Sequence, residues 1–177
     1  MSQAWIETFT GKHFDILEPQ SDEIDIVDIA HSLSLQCRFT GHTKHFYSVA
    51  QHSFYASQLV PPEDALWALL HDASEAYISD MSRPLKHYTD CGHHYKIVED
   101  KIMAAICMKF RLPFRMPLSV RKADDSLLYA EKEQLMADAK WDTLWSSEDA
   151  AKIKIDYWPP ELAKTRFLAR YYTLSPV

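Results

Sequence analysis

The stretch LLHDASEAYISD, residues 69–80, places a histidine and an aspartate side by side directly after two leucines. A helix that carries His71 and Asp72 toward the core would bury polar groups, which is costly unless a partner compensates them. A second histidine, His52, follows small apolar residues in SVAQHS. Two imidazoles and a carboxylate from neighbouring helices are suitable ligands for a divalent transition metal. We therefore predict that these side chains meet at a metal ion.

A further acid is needed to complete such a site, and VRKADDSLLYAE offers Asp124 beside an apolar pair of leucines. Asp125 is the neighbouring alternative. Glu75 lies one helical turn after the His-Asp pair, so we expect it on nearly the same face, where it can orient or deprotonate a water molecule. Arg121 precedes Asp124 by three residues and is a candidate cation for a substrate phosphate, with a solvated surface charge as the alternative.

The segments SVAQHS, LLHDASEAYISDMSRPLK and VRKADDSLLYAE resemble the HD-domain phosphohydrolases, and within them the bacterial 5′-deoxynucleotidases. The resemblance extends over about residues 24–140 and is strongest in the middle segment. In the similar enzymes an alanine precedes the last metal ligand, which favours Asp124 over Asp125. Carried over residue by residue, the resemblance implies a divalent ion, one of Mn, Co, Ni, Fe, Zn or Mg, held by His52, His71, Asp72 and Asp124.

The resemblance also implies residues that act on the substrate. Asp80 matches an acid that assists the leaving group or the nucleophile, beside the catalytic Glu75. Arg38 in CRFTGH and Lys86 in SRPLK match positions that contact phosphate or sugar. The deoxynucleotidase pattern often has tryptophan after this arginine, whereas this chain has Phe39, which can still stack on a base with less area. The base preference therefore stays open.

These residues predict a metal-dependent hydrolase of (deoxy)nucleoside 5′-phosphates that converts a deoxynucleoside monophosphate to the deoxynucleoside and phosphate. The alternative within the family is a dNTP phosphohydrolase that releases triphosphate, since compact phage-type members act on dATP. A non-catalytic nucleotide-binding module with the same fold is an alternative of another class. A structural helical protein, in which the acids and histidines are incidental, is the remaining one.

The composition predicts one mostly α domain over residues 1–177. Apolar residues make up 47% and charged residues 25%, as in soluble folded proteins, and a chain this long can bury a sizeable core. Only three glycines are present, which favours helices over many tight turns. We expect a single HD-domain helical bundle behind a small β-hairpin or extended flap at about 1–20. Helices are predicted at about 22–36, 46–60, 63–78, 92–110, 117–140 and 161–173.

Charge and cysteine content bound the partners and the location. A net charge of −6 argues against binding to a nucleic-acid duplex, since such proteins usually present a basic face. Three cysteines without metal-site spacing predict reduced thiols in the cytoplasm. The chain has no apolar run of about 18 residues and no leader-like start, so we expect neither membrane spanning nor secretion. The aromatic-rich RFLARYYTL predicts a homo-oligomer, a dimer or a hexamer.

Overall fold

A computed structural model describes residues 4–138 and 150–175, in which a short antiparallel hairpin precedes a series of helices. This architecture confirms the predicted mostly α class with a small N-terminal hairpin. The strands are β1 (Trp5–Glu7) and β2 (His13–Asp15). The helices are α1 (Ile26–Leu35), α2 (Val49–Ala56), α3 (Ala65–Leu70), α4 (Glu75–Ile78), α5 (Arg83–Tyr88), α6 (Asp90–Phe110), α7 (Leu118–Leu135) and α8 (Pro160–Leu174), with 3-10 turns at Arg38–Gly41 and Pro62–Asp64.

The hairpin is tied to the first helix through its turn. Gly11 has a φ of 78°, which glycine adopts without steric cost, and its N–H donates to the Thr8 carbonyl. The Thr10 N–H and hydroxyl both donate to the buried carboxylate of Asp28 on α1, at 2.7 and 2.9 Å. The hairpin therefore lies against α1 and covers one end of the helical core.

Helix α2 lies in the middle of the core and contacts α1, α3, α7 and α8. Nearly all of its residues are buried, including the polar side chains of Gln51, His52 and Ser53. Apolar side chains from the surrounding helices fill the space around it, among them Ile29, Leu33, Leu69, Leu70, Leu127 and Phe167. Any polar group on α2 must consequently find its partner inside the protein.

The first two helices begin later than predicted, because their N-cap residues lie further along the chain. Asp25 caps α1, its carboxylate accepting the amide N–H two residues later at 2.9 Å, rather than a residue at 21–22. Ser48 caps α2 by accepting the N–H of Gln51 at 3.1 Å, so the helix begins after the predicted start at 46.

The predicted continuous helix at about 63–78 is wrong, because the chain tightens between α3 and α4. The amides of residues 73, 75, 76 and 77 donate to the carbonyl three residues earlier, at 3.0 to 3.2 Å, as in a 3-10 helix. The carbonyl of Ala68 accepts from Nδ1 of His71 at 2.7 Å, although in a continuous α-helix it would serve a backbone amide. The tighter winding puts Glu75 directly above Asp72.

The later helices follow the prediction more closely. Helices α6 and α8 confirm the predicted ranges within two residues at each end, whereas α5 was not predicted. Helix α7 ends at Leu135, short of the predicted 140, and the last two predicted positions lie outside the described residues. Among the helices of residues 4–138 and 150–175, none combines the length and apolarity that a membrane crossing requires.

Gly92 allows α5 and α6 to meet at a tight corner. Its N–H donates to the hydroxyl of Thr89, which caps α6, at 3.1 Å. A Cβ at this position would lie 2.3 Å from the carbonyl oxygen of Leu85 and 2.4 Å from that of Lys86. Because both atoms belong to the backbone, only a shift of α5 against α6 could make room.

We expect Gly92→Ala to destabilise the protein by about 1–3 kcal/mol, the usual cost of forced overpacking, despite the higher helix propensity of alanine. Urea unfolding gives the free-energy change. Cys91→Ala, at the exposed neighbouring position, is the control and should stay within about 0.5 kcal/mol of the parent. A Gly92→Ala protein as stable as the parent would show that the corner is not tight.

Candidate metal centre

Four side chains from three parts of the chain converge in the interior. His52 comes from α2, His71 and Asp72 from the tightened segment after α3, and Asp124 from α7. Nε2 of His52 lies 3.2 Å from Nε2 of His71 and 3.1 Å from Oδ1 of Asp124. Oδ2 of Asp72 lies 3.2 Å from Nε2 of His71 and 3.7 Å from Nε2 of His52. The donor atoms of His52, His71 and Asp72 all lie within 4.8 Å of one another.

Each imidazole is oriented by a bond from its other nitrogen. Nδ1 of His71 lies 2.7 Å from the Ala68 carbonyl, and Nδ1 of His52 lies 2.6 Å from Oε1 of Glu131. A carbonyl can only accept, so the His71 proton sits on Nδ1, and the carboxylate of Glu131 favours the same arrangement in His52. The two Nε2 lone pairs then face each other and two carboxylates, an arrangement that needs a positive charge between them. This donor set suits a divalent cation.

Glu131 contacts His52 and was not predicted from the sequence. Its side chain is fully buried on α7, and Oε1 also accepts the hydroxyl of Tyr47 at 2.7 Å. Oε2 lies 3.2 Å from Nη2 of Arg38. One signal was available: Glu131 follows Asp124 by seven residues, which places the two acids two turns apart on one helix face. Its partners could not be read from that spacing.

The charged groups of the cluster shift one another's pKa values. Burial and Arg38 act to lower the pKa of His52, but Glu131 and Asp124 outweigh them and raise it to about 9. Burial acts to raise the pKa of Asp72, but His71 and His52 hold it below its ordinary range. The carboxylates thus favour positive charge on the imidazoles, and the same charges would favour a bound divalent ion.

Among the described residues, the cluster reaches solvent through its two carboxylates. The imidazoles of His52 and His71 are buried, whereas a fifth of the Asp72 side chain and a third of the Asp124 side chain are exposed. A ligand from solvent must consequently approach past the two carboxylates, and not through α2.

Glu75 lies beside the cluster, with one carboxylate oxygen unbonded among the described residues. Its side chain is buried, and Oε2 makes no hydrogen bond to the part of the chain that the structure describes. Burial raises the pKa of this carboxyl well above its ordinary value, and the nearby charges of Asp72 and Asp80 add to the effect. The buried and acidic surroundings of Glu75 thus increase the proton affinity of its carboxylate.

Asp80 lies on the same side of the cluster, just beyond α4. Its N–H donates to Oε1 of Gln36 at 3.1 Å. Desolvation raises the pKa of the Asp80 carboxyl, Arg38 opposes this shift and Asp72 adds to it. These influences place the carboxylate within electrostatic reach of the cluster.

Arg38 joins the cluster to Glu131. Its Nη1 lies 3.5 Å from Oδ2 of Asp72, while Nη2 faces Glu131, and its Nε is buried without a hydrogen-bond partner in the described residues. The guanidinium carbon lies 5.6 Å from the ring centre of Phe39. Phe39 and Thr40 both have positive φ values, 54° and 53°, which are rare for residues with side chains. The 3-10 turn thus places Arg38 and Phe39 together at the open side of the site.

The remaining predicted residues differ in their placement. Nζ of Lys86 lies 2.6 Å from Oε1 of Glu99 on α6, and this bond raises the pKa of the amine although desolvation acts to lower it. Asp125 faces Arg83 at 3.8 Å and not the imidazoles, so Asp124 is the acid of this pair beside His52. Arg121 is exposed and has no ion pair with the cluster among the described residues.

Comparisons with known proteins place the chain among full-length relatives. No family model matches it. It is 30% identical over 111 residues to the 5′-deoxynucleotidase ECA3034 of Pectobacterium atrosepticum, a match that covers 60% of this chain and about half, 52%, of that protein. It is 32% identical to RCAP_rcc00048 of Rhodobacter capsulatus, over 98% of this chain and 97% of that protein. It is 42% identical to YfdR of Escherichia coli over 174 residues, 97% of this chain and 96% of that protein. The names of these two relatives, which match over nearly their whole length, state no activity. The chain belongs to the family that includes YfdR and RCAP_rcc00048.

Proposed function

We propose that this protein is a metal-dependent phosphohydrolase of the HD-domain superfamily that acts on (deoxy)nucleoside 5′-phosphates. The observation that carries the proposal is the pair of Nε2 atoms 3.2 Å apart, each oriented from behind and both facing Asp72 and Asp124. The partial similarity to a 5′-deoxynucleotidase supports the same class of substrate. A deoxynucleoside monophosphate is the proposed substrate, with a dNTP as the alternative.

His52, His71, Asp72 and Asp124 would hold the metal ion. A bound divalent ion supplies positive charge to the phosphate oxygens and lowers the pKa of bound water. The chain's contribution is orientation, because both imidazoles are fixed by their Nδ1 partners before any metal arrives. The open side at Asp124 leaves room for the phosphate.

Glu75 is the proposed proton acceptor of the reaction. Water attacks phosphorus, the bond from phosphorus to the 5′ oxygen breaks, and the proton of the water must be taken up. Oε2 of Glu75 is buried and has no partner in the described structure, so it can hold this proton. A raised pKa suits the task, since a base whose pKa approaches the working pH accepts a proton readily. The proton taken up by Glu75 would then pass to the leaving 5′ oxygen, a transfer that Asp80 would assist.

Cations near the cluster would bind the phosphate oxygens. Arg38 carries a permanent charge, since Glu131 and Asp72 raise the pKa of its guanidinium although burial acts to lower it. Lys86 is held by Glu99, and Glu75 and Asp72 are close enough to raise its pKa further. Phe39 lies beside Arg38 and offers an apolar surface to the sugar or the base. Arg121 is proposed to contact only the outer part of a longer phosphate chain.

Purified protein incubated with dAMP or dATP and Mn²⁺ or Co²⁺ is expected to release inorganic phosphate from dAMP. Release of triphosphate from dATP would identify the alternative substrate, and identification of the phosphate product by ion chromatography separates the two. EDTA should abolish turnover. A protein that binds metal but hydrolyses none of a full set of nucleotides would contradict the proposed function and favour a binding module.

Adjacent aspartates provide a matched pair for the same assay. Asp124→Asn should lower kcat by at least about 100-fold. The variant removes a direct metal ligand, and even the loss of a residue that only orients a ligand typically lowers activity about 10- to 100-fold. Asp125→Asn should stay within about twofold of the parent, since Asp125 faces the exposed Arg83. Equal decreases in kcat for the two variants would show that the reaction does not take place at the cluster.

Glu131→Gln should raise the Kd for Mn²⁺ about 10- to 100-fold, because the neutral amide loses the charge that orients His52. Isothermal titration calorimetry on the metal-free protein measures this directly. His71→Ala should abolish stoichiometric binding in the same experiment.

The exposed Glu133→Gln variant on the same helix is the control and should bind Mn²⁺ as the parent does. Thermal unfolding of both variants separates metal affinity from a general loss of structure. An unchanged Kd in a folded Glu131→Gln protein would mean that Glu131 does not support the site.

A further inference from the structure

Gln36 bonds to both ends of the segment that carries the two proposed catalytic acids. Its Nε2 donates to the Glu75 carbonyl at 2.9 Å, and its Oε1 accepts the N–H of Asp80 at 3.1 Å. Nε2 also lies 3.0 Å from the hydroxyl of Ser32, which itself donates to the Ala76 carbonyl at 2.8 Å. One amide at the end of α1 thus spans the whole of α4, from its first residue to the acid that follows it.

The turn between these two bonds is strained. Ser79 has φ 65° and ψ 159°, a region that is essentially restricted to glycine and costs other residues roughly 1–3 kcal/mol. Its N–H donates to the Glu75 carbonyl at 2.8 Å, and its carbonyl accepts the hydroxyl of Tyr95 at 2.5 Å. The surrounding contacts therefore hold a backbone conformation that a serine would leave if released.

The strained turn fixes the direction of the backbone at Asp80. An ordinary φ at Ser79 would redirect the chain that follows, and with it the backbone of Asp80. The N–H of Asp80 is the atom fixed by Gln36, so loss of this bond frees the residue immediately after the strained one.

We propose that Gln36 is a positioning residue that fixes the backbone of Glu75 and Asp80 by bonding both ends of α4. This inference rests on the proposed phosphohydrolase function. Gln36 does not reach the substrate: it acts through the backbone of Glu75 and Asp80. The metal ligands are not among its contacts, so it should affect turnover and not metal affinity.

A second glutamine provides a matched control. Gln134 on α7 makes the same pair of bonds, donating to the Ile153 carbonyl at 2.9 Å and accepting the N–H of Ile155 at 3.0 Å. It is exposed, and the segment that it bonds contains none of the proposed site residues. Removal of either side-chain amide loses two hydrogen bonds to the backbone. Of these two glutamines, Gln36 is the one that bonds the segment carrying the proposed catalytic acids.

The test compares Gln36→Ala with Gln134→Ala on whichever of dAMP and dATP the parent hydrolyses. Gln36→Ala should lower kcat about 10- to 100-fold, the usual effect of a displacement near 1 Å, with KM and the Kd for Mn²⁺ within about twofold of the parent. Gln134→Ala should keep the kcat of the parent. Equal kcat values for the two variants would overturn the inference.

A double-mutant cycle with Asp80→Asn separates positioning from general destabilisation. If Gln36 acts through Asp80, the double variant should be no slower than Asp80→Asn alone, within about twofold. Losses that multiply would overturn the inference, as would an Asp80→Asn variant with the kcat of the parent.

Amide hydrogen exchange gives a readout that does not depend on turnover. Exchange at the Asp80 N–H should accelerate at least about tenfold in Gln36→Ala and stay unchanged in Gln134→Ala. An unchanged rate in Gln36→Ala would overturn the inference while the proposed function stands. A parent protein that turns over no nucleotide would overturn both.

Discussion

The structure depends on the need for positive charge between two facing imidazole nitrogens and two carboxylates in its interior. The Nε2 atoms of His52 and His71 lie 3.2 Å apart, and each ring is fixed from behind. Without positive charge between them, lone pairs and carboxylates would repel each other in a region of low dielectric. A divalent ion would supply this charge in the proposed active state.

The backbone around the cluster positions the side chains that face one another there. The tightened turn after α3 releases the Ala68 carbonyl to bind His71 and places Glu75 above Asp72. Ser79, in its strained conformation, then ends α4 directly before a second acid, Asp80, whose charge acts on Glu75. The segment 71–80, which departs from regular helix, carries four of the proposed site residues, His71, Asp72, Glu75 and Asp80, as expected where function outweighs local preference.

The sequence predicts the fold class, the hairpin and the groups that meet, but not how they are held. Histidines and acids next to apolar positions indicate inward-facing helix faces, and the structure brings His52, His71, Asp72 and Asp124 together. Glu131 and Gln36 could not be assigned, because their partners lie 79 and 44 residues away and depend on packing. The continuous helix at 63–78 was wrong for a related reason: periodicity does not reveal a carbonyl taken by a side chain.

The most direct test of the central claim is a crystal structure of the protein soaked with Mn²⁺ and measured at the manganese absorption edge. The account predicts one strong anomalous peak, between Nε2 of His52, Nε2 of His71 and the carboxylates of Asp72 and Asp124, at about 2.0–2.3 Å from each ligand atom. A peak elsewhere, or a refined site in which the two imidazoles point apart with no ion between them, would contradict it.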